Sequence, residues 1–79
     1  MKSIYQKNYR KLIALLATKR KETGVTQQAL AVSLKKPQSY IAKIENNDRR
    51  LDVIEFLAIC EALNVPYNDI LDEIISSKP

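Results

Sequence analysis

The sequence of 79 residues contains no histidine, one cysteine and one glycine, and each scarcity removes a class of function. Without histidine, a general base near neutral pH would have to be a strongly shifted carboxylate or lysine. One cysteine allows no internal disulfide, which favours a reducing compartment, and no Cys/His cluster is available to bind zinc. A single glycine cannot build a glycine-rich phosphate-binding loop. We therefore expect neither an enzyme nor a metal or other cofactor.

Long hydrophobic runs are also missing. No apolar stretch approaches the roughly 18 residues that a membrane span requires. Residues 1–24 are basic, but they lack the continuous apolar segment and the small-residue cleavage site of a signal peptide. The expected location is the cytoplasm, with no membrane partner.

Two small features that could carry chemistry are better explained by structure. Cys60 lies on the apolar stripe of a predicted helix, so we interpret it as a core residue rather than a nucleophile. Asp69, Asp72 and Glu73 form an acidic cluster without the spacing of a calcium loop, and they are typical of a solvated helix face.

Charge is distributed unevenly along the chain, whose net charge is +4. Residues 1–24 carry seven basic side chains and one acidic one, and residues 25–50 carry five basic and two acidic ones. Residues 51–79 instead carry one basic and six acidic side chains. A basic front and an acidic back suit a protein that turns one face to a polyanion such as nucleic acid. A mixed, solvated surface would give the same totals.

The apolar residues recur at helical spacing throughout, which predicts an all-α fold of five helices in a single domain over residues 1–79. The first helix has an apolar stripe of Tyr5, Tyr9, Leu12, Ile13, Leu16 and Ala17. The second covers 26–34 behind the N-cap Thr26, and the third covers 37–46 with Pro37 at its start. The fourth follows a capping box of Asp52 and Glu55, and its predicted buried stripe is Val53, Phe56, Leu57, Cys60 and Leu63. The fifth covers about 66–76.

Helix ends are marked by residues that tolerate a left-handed backbone. Gly24 follows the first helix. Asn46 and Asn47 follow the third helix, and Asn64 follows the fourth. The short segments between these stops predict a compact bundle with no long loop.

The third predicted helix has an unusual outward face. Ile41 and Ile44 share one face, which leaves Gln38, Ser39, Ala42 and Lys43 pointing elsewhere. Two helices separated by a short turn, the second bearing short polar groups, form the layout of a DNA-reading helix-turn-helix, here over about 26–46.

The run GVTQQALAVSLKKPQSYIAKIENNDRRLDVIEFLAICEALNV resembles the lambda-repressor-like helix-turn-helix family, also called the Cro/cI or XRE type. The resemblance covers about residues 9–71 and is strongest in GVTQQALA, QSYIAKIEN, RRLDVIEFL and EALNV. Several matching segments in the right order are far more specific than any one of them. The resemblance implies a compact five-helix fold and a recognition helix over 37–46 that enters the major groove.

Individual roles follow from the resemblance. It implies base contacts from Gln38, Ser39 and Lys43. It implies a phosphate contact from Gln27, which also buttresses the recognition helix. Further backbone contacts are implied for Tyr40, Arg49 and Arg50. Arg20 and Glu45 match a partly buried ion pair between the first helix and the end of the third, which is architecture rather than function.

The chain departs from the family pattern in the turn of the motif. Lys35 stands where glycine is common, and a lysine there is expected to adopt a left-handed conformation at a cost of roughly 1 kcal/mol. Lys36 replaces an apolar turn residue. Both lysines add positive charge beside the DNA, and we include them among the predicted backbone contacts. Asn47 and Asn64 replace glycine compatibly.

The residue types agree with reading DNA. Glutamine can pair bidentately with adenine, serine can serve most bases, and lysine favours guanine. The cations beside them would supply the attraction that is independent of sequence and weakens with salt. Each has a simpler explanation: Gln38 and Ser39 as first-turn polar residues, Gln27 and Lys43 as solvated ones, and Tyr40 as a partly packed ring.

The prediction is therefore a sequence-specific binder of double-stranded DNA, most simply a small repressor-like transcriptional regulator. One short helix reads few base pairs, so a homodimer on half-sites about one helical turn apart is expected. Its predicted interface is the fifth helix, with intramolecular packing as the alternative, through Tyr67, Ile70, Leu71, Ile74 and Ile75. Two other functions stay open: an antitoxin-like or adaptor protein-interaction module working through the acidic C-terminal half, and a DNA-binding subunit with little sequence preference.

Overall fold

Five α-helices and their connections make up the computed structural model, which describes residues 2–76, with side chains from Gln6 onward. No strand occurs in this part of the chain. The predicted side-chain role of Tyr5 lies outside the described residues. The helices are α1 (Lys2–Glu22), α2 (Gln27–Ser33), α3 (Gln38–Glu45), α4 (Val53–Leu63) and α5 (Tyr67–Ser76).

All four interhelical corners close in the same way. Shortly after each of the helices α1 to α4, one residue has a left-handed backbone. The residue that follows it donates its N–H to a carbonyl five positions back. Gly24 (φ 75°) begins the first corner and Lys35 (φ 58°) the second, followed by Asn47 (φ 64°) and Asn64 (φ 58°). The closing bonds are 2.8–3.1 Å long and join residues 25 to 20, 36 to 31, 48 to 43 and 65 to 60. This is the hydrogen bond of the Schellman motif, and it satisfies carbonyls that the helix leaves without partners.

The helix starts are capped as the sequence predicts at two places. Thr26 accepts a hydrogen bond from the Ala29 N–H at 3.0 Å. Asp52 accepts from the Glu55 N–H at 2.7 Å, while the Glu55 carboxylate accepts from the Asp52 N–H at 3.0 Å, which completes a capping box. Pro37 stands one position earlier than predicted, as the N-cap of α3 without a side-chain hydrogen bond.

The core lies between α1 and the helices α3, α4 and α5, and α2 adds to it by packing on α3 and α4. Its buried apolar residues come from every helix, with Ile41 and Ile70 the most enclosed large side chains. Cys60 is among them, as predicted, and burial raises the pKa of its thiol. The buried set is Ile13, Leu16, Leu30, Ala31, Ile41, Ile44, Phe56, Ile59, Cys60, Leu63 and Ile70.

The prediction for α4 was wrong at two positions and incomplete at a third. Val53 is 70% exposed and Leu57 is 39% exposed, although both lie on the predicted buried stripe. Ile59, which the prediction omitted, is buried. The inward face of α4 is therefore rotated toward Ile59 and Cys60, and its first turn leaves Val53 and Ile54 exposed.

Candidate nucleic-acid interface

The polar face of α3 is presented to solvent by the turn that precedes it. Lys35 closes α2, since its N–H donates to Val32 O at 3.0 Å and the Lys36 N–H donates to Ala31 O at 2.9 Å. Ile41 and Ile44 then bury the inner face of α3 against the core. Buried inner positions fix the rotation of a helix, so the outer positions are set as well.

The three predicted base-contacting residues all lie on the accessible side of α3. Gln38, Ser39 and Lys43 are exposed, and the two turn lysines, Lys35 and Lys36, are exposed next to them. One accessible face thus combines amide, hydroxyl and ammonium groups with no carboxylate. Their contact with bases stays a prediction.

Beneath this face, a chain of hydrogen bonds runs from α1 to the start of α3. Arg20, which is 8% exposed, binds Glu45 through two nitrogens, Nε to Oε2 at 2.7 Å and Nη2 to Oε1 at 3.1 Å. Its third nitrogen donates to the Val25 carbonyl at 2.8 Å. The predicted structural ion pair between Arg20 and Glu45 is present, and every donor nitrogen of the buried guanidinium has a partner, as a buried charge requires.

The chain continues outward through two amides. Gln27 Nε2 donates to Glu45 Oε1 at 2.9 Å, and Gln38 Nε2 donates to Gln27 Oε1 at 3.3 Å. Gln27 therefore joins the ion pair to the accessible polar face of α3, which carries Gln38, Ser39 and Lys43 and which we call the recognition face. This agrees with the buttressing that the resemblance implies. Its predicted phosphate contact stays a prediction.

Glu45 keeps its charge despite partial burial. Burial alone would raise its pKa, but the hydrogen bonds from Arg20 and Gln27 and the charge of Arg20 outweigh burial and hold the pKa below its ordinary value. A carboxylate that accepts three hydrogen bonds is favoured in its ionised form.

A second cluster surrounds Tyr40, which is half-buried against the core. Lys36 Nζ lies 5.1 Å from the centre of its ring, and the Arg49 guanidinium carbon lies 4.7 Å from it. Both distances fall in the range of cation–π attraction. Tyr40 thus holds two cations beside the recognition face, and its own predicted contact with the DNA backbone stays a prediction.

Arg49 is engaged by a partner that the sequence reading did not assign to it. Its guanidinium binds the Glu55 carboxylate through two bonds, Nη1 to Oε1 at 3.1 Å and Nη2 to Oε2 at 2.8 Å. The hydrogen bond from Arg49, with that from the Asp52 N–H, lowers the pKa of Glu55 to about 2. Any phosphate contact by Arg49 has to share the guanidinium with this carboxylate.

The loop between α3 and α4 is also tied to α1. The Tyr9 hydroxyl accepts from the Leu51 N–H at 3.0 Å and donates to the Arg49 carbonyl at 3.5 Å. The Arg50 guanidinium lies 4.1 Å from the centre of the Tyr9 ring. We call Tyr9, the ion pair of Arg49 with Glu55, and the stacked Arg50 the loop clamp. Arg50 is exposed, so its charge is open to a phosphate.

The sequence analysis did not predict the contacts of Arg49 with Glu55 or of Tyr9 with the loop, because it gave Glu55 and Tyr9 one structural role each. Glu55 was assigned to the capping box alone, although a carboxylate accepts several hydrogen bonds and Arg49 stands only six residues earlier. The resemblance gave Gln27 a phosphate contact and a buttressing role, but it did not identify Glu45 as the hydrogen-bond partner. No local signal in the sequence singles out Tyr9 as a loop anchor.

The structure buries one part of the predicted dimer surface on α5 and exposes another. Ile70 is 1% exposed, so it belongs to the core of its own chain and its assignment to an interface was wrong. Ile74 is half-buried, while Tyr67, Leu71 and Ile75 are 54%, 38% and 61% exposed. An apolar groove of about 470 Å³ lies between the start of α4 and α5, lined by Leu12, Leu51, Asp52, Val53, Phe56, Leu57, Tyr67 and Leu71.

The packing of α2 and α3, with a polar face on α3, defines a helix-turn-helix protein. The sequence model of the helix-turn-helix family matches residues 16–70, which is most of the chain. The protein belongs to this family, in its XRE-type group. No curated protein matches the sequence.

Solved structures give the same assignment. An XRE-family-like protein from Pseudomonas syringae pv. tomato superposes with a TM-score of 0.94 at 38% identity, over 99% of this chain and 95% of that one. The clp gene regulator ClgR from Corynebacterium glutamicum gives 0.79 at 25% identity, over 91% and 94%. A point mutant of the restriction-modification controller protein C.Esp1396I gives 0.80 at 28% identity, over 87% and 92%.

XRE-type helix-turn-helix proteins are DNA-binding transcription regulators rather than enzymes, and this is the class of the present chain. Within residues 2–76, no helix combines the length and the apolar character needed to cross a membrane.

Proposed function

We propose that this protein reads a specific sequence in double-stranded DNA and acts as a small, repressor-like transcriptional regulator. The observation that carries the proposal is the accessible face of α3, where Gln38, Ser39 and Lys43 stand together above a buried inner face. Base edges in the major groove present the donors and acceptors that these groups pair with. We place it in the cytoplasm, which is where bacterial DNA lies, because the structures that it resembles include proteins of Pseudomonas syringae and Corynebacterium glutamicum.

The cations around α3 support the placement of this helix against the major groove. Lys35, Lys36 and Arg50 are exposed around α3 and can meet phosphates on either side of the groove. Such contacts supply affinity and register, while base contacts supply specificity. Arg49 is held by Glu55, so we assign it a smaller share of the phosphate contact than Arg50.

We propose that the protein works as a homodimer. A single recognition helix reads one half-site, and two copies would read half-sites about 34–36 Å apart. Val53 and Leu71 line the α4–α5 groove, and Ile54 and Ile75 are exposed on the same two helices; a second copy would cover these side chains. Exposed apolar surface beside a groove is typical of an interaction site.

Selection of bound duplexes from a randomised DNA pool at moderate salt tests the reading function. We expect an enriched pseudo-palindrome with half-sites about 10 base pairs apart. Gln38→Ala should relax one base position in each half-site, with a loss of about 1–3 kcal/mol on the preferred sequence. Gln28→Ala is the matched control, because Gln28 is an exposed amide on α2 outside the predicted contact set. Unchanged preference in Gln38→Ala would show that α3 is not the reader.

The dimer has its own test in sedimentation. Ile75→Asp should shift the protein toward monomer, because a carboxylate would be buried in the interface. Val32→Asp is the control, since Val32 is exposed to a similar extent (64% against 61%) but lies on α2. Equal behaviour of the two variants would exclude α5 as the contact.

The α4–α5 groove also favours a second candidate function, the docking of another protein by an adaptor or antitoxin-like module. If the selection enriches no sequence and binding falls uniformly with salt, the basic face binds DNA without reading it. The groove and the acidic residues of 51–79 then become the surface to test for a protein partner.

A further inference from the structure

We infer that Glu45, which lies away from the recognition face, determines which base edge Gln38 reads, by fixing the orientation of two amides in series. The inference rests on the proposed role of Gln38 as a base-reading residue. Glu45 is a positioning residue in this arrangement, and it acts on DNA only through Gln27.

The first step is the polarity of Glu45. An ionised carboxylate accepts hydrogen bonds and cannot donate them. Arg20, whose guanidinium only donates, occupies both carboxylate oxygens at 2.7 and 3.1 Å. The partner on the remaining side of Oε1 must therefore also be a donor, and Gln27 Nε2 stands there at 2.9 Å.

The second step is the orientation of Gln27. Its amide has one nitrogen end and one oxygen end, so turning the nitrogen toward Glu45 directs the oxygen the other way. Gln27 Oε1 faces Gln38 Nε2 at 3.3 Å, and only a donor can meet it. Because Arg20 can only donate to Glu45, Gln27 donates to Glu45 and accepts from Gln38. The orientation that Arg20 favours thus extends to the exposed start of α3.

The third step is what Gln38 has left to offer. One of its two N–H groups is directed at Gln27, which leaves one N–H donor and the carbonyl acceptor. Adenine presents N7 as an acceptor beside the N6 donor, which matches that pair of groups. Guanine presents two acceptors, N7 and O6, and the Gln38 carbonyl would face one of them without a hydrogen. The chain of bonds therefore favours adenine and disfavours guanine at one base position.

Replacing Glu45 by glutamine keeps the shape of the side chain but adds a donor where the carboxylate has only acceptors. The orientations of the Gln27 and Gln38 amides can then reverse. In Glu45→Gln, we expect the amide oxygen to take the place of Oε2, because a nitrogen there would face the Arg20 Nε donor at 2.7 Å. The amide nitrogen then takes the place of Oε1, where it loses the bond from Arg20 Nη2 and donates to Gln27. Gln27 then accepts from position 45 and donates to Gln38, and Gln38 turns both of its N–H groups toward the groove. Two donors suit guanine better than adenine.

The experiment is duplex selection and titration with the full chain, comparing wild type, Glu45→Gln, Gln27→Ala and Gln38→Ala. Circular dichroism against temperature sets conditions in which each protein is folded. We expect the wild type to prefer adenine over guanine at the position that Gln38→Ala relaxes. In Glu45→Gln, this ratio should fall at least about fivefold, the lower end of what one bidentate pair discriminates. The base preferences at the other positions should stay as in wild type, because neither Glu45 nor Gln27 is assigned to a second base.

Gln27→Ala keeps the inference testable if Glu45→Gln folds poorly. Without the Gln27 amide, Gln38 rotates freely, so the adenine-to-guanine ratio at the same position should fall without reversing. Gln28→Ala, an exposed amide on the same helix, should leave it unchanged. A merely structural effect would lower affinity for all sequences and leave the ratio as it is.

The outcomes separate the inference from the proposed function. If Gln38→Ala leaves every position unchanged, Gln38 does not read DNA and the proposed function fails. If Gln38→Ala relaxes one position but folded Glu45→Gln and Gln27→Ala keep the wild-type ratio there, the positioning role of Glu45 is overturned. A wild-type preference for guanine at that position would overturn it as well.

Discussion

Lys35 carries a backbone strain that a single substitution can measure. It is a lysine with φ 58°, in the corner between α2 and α3. A left-handed conformation costs an ordinary L-residue about 1–2 kcal/mol. Glycine avoids this strain but has more conformational freedom to lose on folding, which offsets about 0.5–1 kcal/mol. We therefore expect Lys35→Gly to raise the free energy of unfolding by about 0–1.5 kcal/mol, the difference of the two effects.

Lys36→Gly is the control that isolates the strain. Lys36 is exposed, follows Lys35 directly, and has no positive φ. The same substitution there loses the same positive charge and carries the same glycine entropy, but relieves no strain. It also removes the ammonium group beside Tyr40. Lys36→Gly should therefore be destabilised, and the two variants should differ by about 1–2 kcal/mol.

Urea and thermal unfolding followed by circular dichroism measure the difference. For a domain of this size, 1 kcal/mol corresponds to a shift of about 4–8 °C in Tm, so Lys35→Gly should melt several degrees above Lys36→Gly. Equal stability of the two variants, or a less stable Lys35→Gly, would refute the argument that the corner is strained. Both variants should lose affinity for DNA in the same measure, because each removes one cation beside α3.

Three further predictions concern stability. Gly24→Ala should lose about 1–2 kcal/mol in urea unfolding, because φ is 75° although a Cβ would meet nothing within 4 Å; no loss would mean that the corner adapts. Glu55→Gln should be less stable than wild type at pH 7, and the gap should close as pH falls from the ordinary carboxyl pKa of 4.5 toward the native value of about 2; a gap that persists at pH 2 would exclude the ion pair with Arg49 as its source. Ile41→Ala should lose about 2–5 kcal/mol, whereas Ile54→Ala, 73% exposed, should stay near wild type; similar losses would contradict the assigned core.

The helix stops and caps could be predicted from the sequence because they are local. Gly24, Asn47 and Asn64 are residues that accept a left-handed backbone, and they stand where an apolar pattern ends. Lys35 could be placed only through the resemblance, since nothing about a lysine indicates φ above zero. The ion pair of Arg20 with Glu45 also came from the resemblance, because 25 residues separate its partners.

The exposure of the misassigned residues depends on tertiary packing, which the spacing of apolar residues along the sequence does not reveal. Val53 and Leu57 have the spacing of a buried stripe, but the extent to which α5 covers α4 decides their exposure. Ile70 was assigned to a partner surface together with the other apolar residues of α5, and its packing against α1 shows that it is internal. The engagement of Gln27 by Glu45 follows from side-chain geometry across three helices.

The loop clamp has a consequence for the time course of DNA binding. Tyr9 and the Arg49–Glu55 pair hold the segment between α3 and α4 before any ligand arrives, so no segment of it has to order during the encounter. Association can then proceed at a rate set by diffusion and charge, and added salt should slow it. On the proposed function, the lifetime of the complex would depend instead on the short-range contacts of α3. A search along non-cognate DNA would then be fast while residence on the preferred site is long, and two separate groups of side chains would control these two rates.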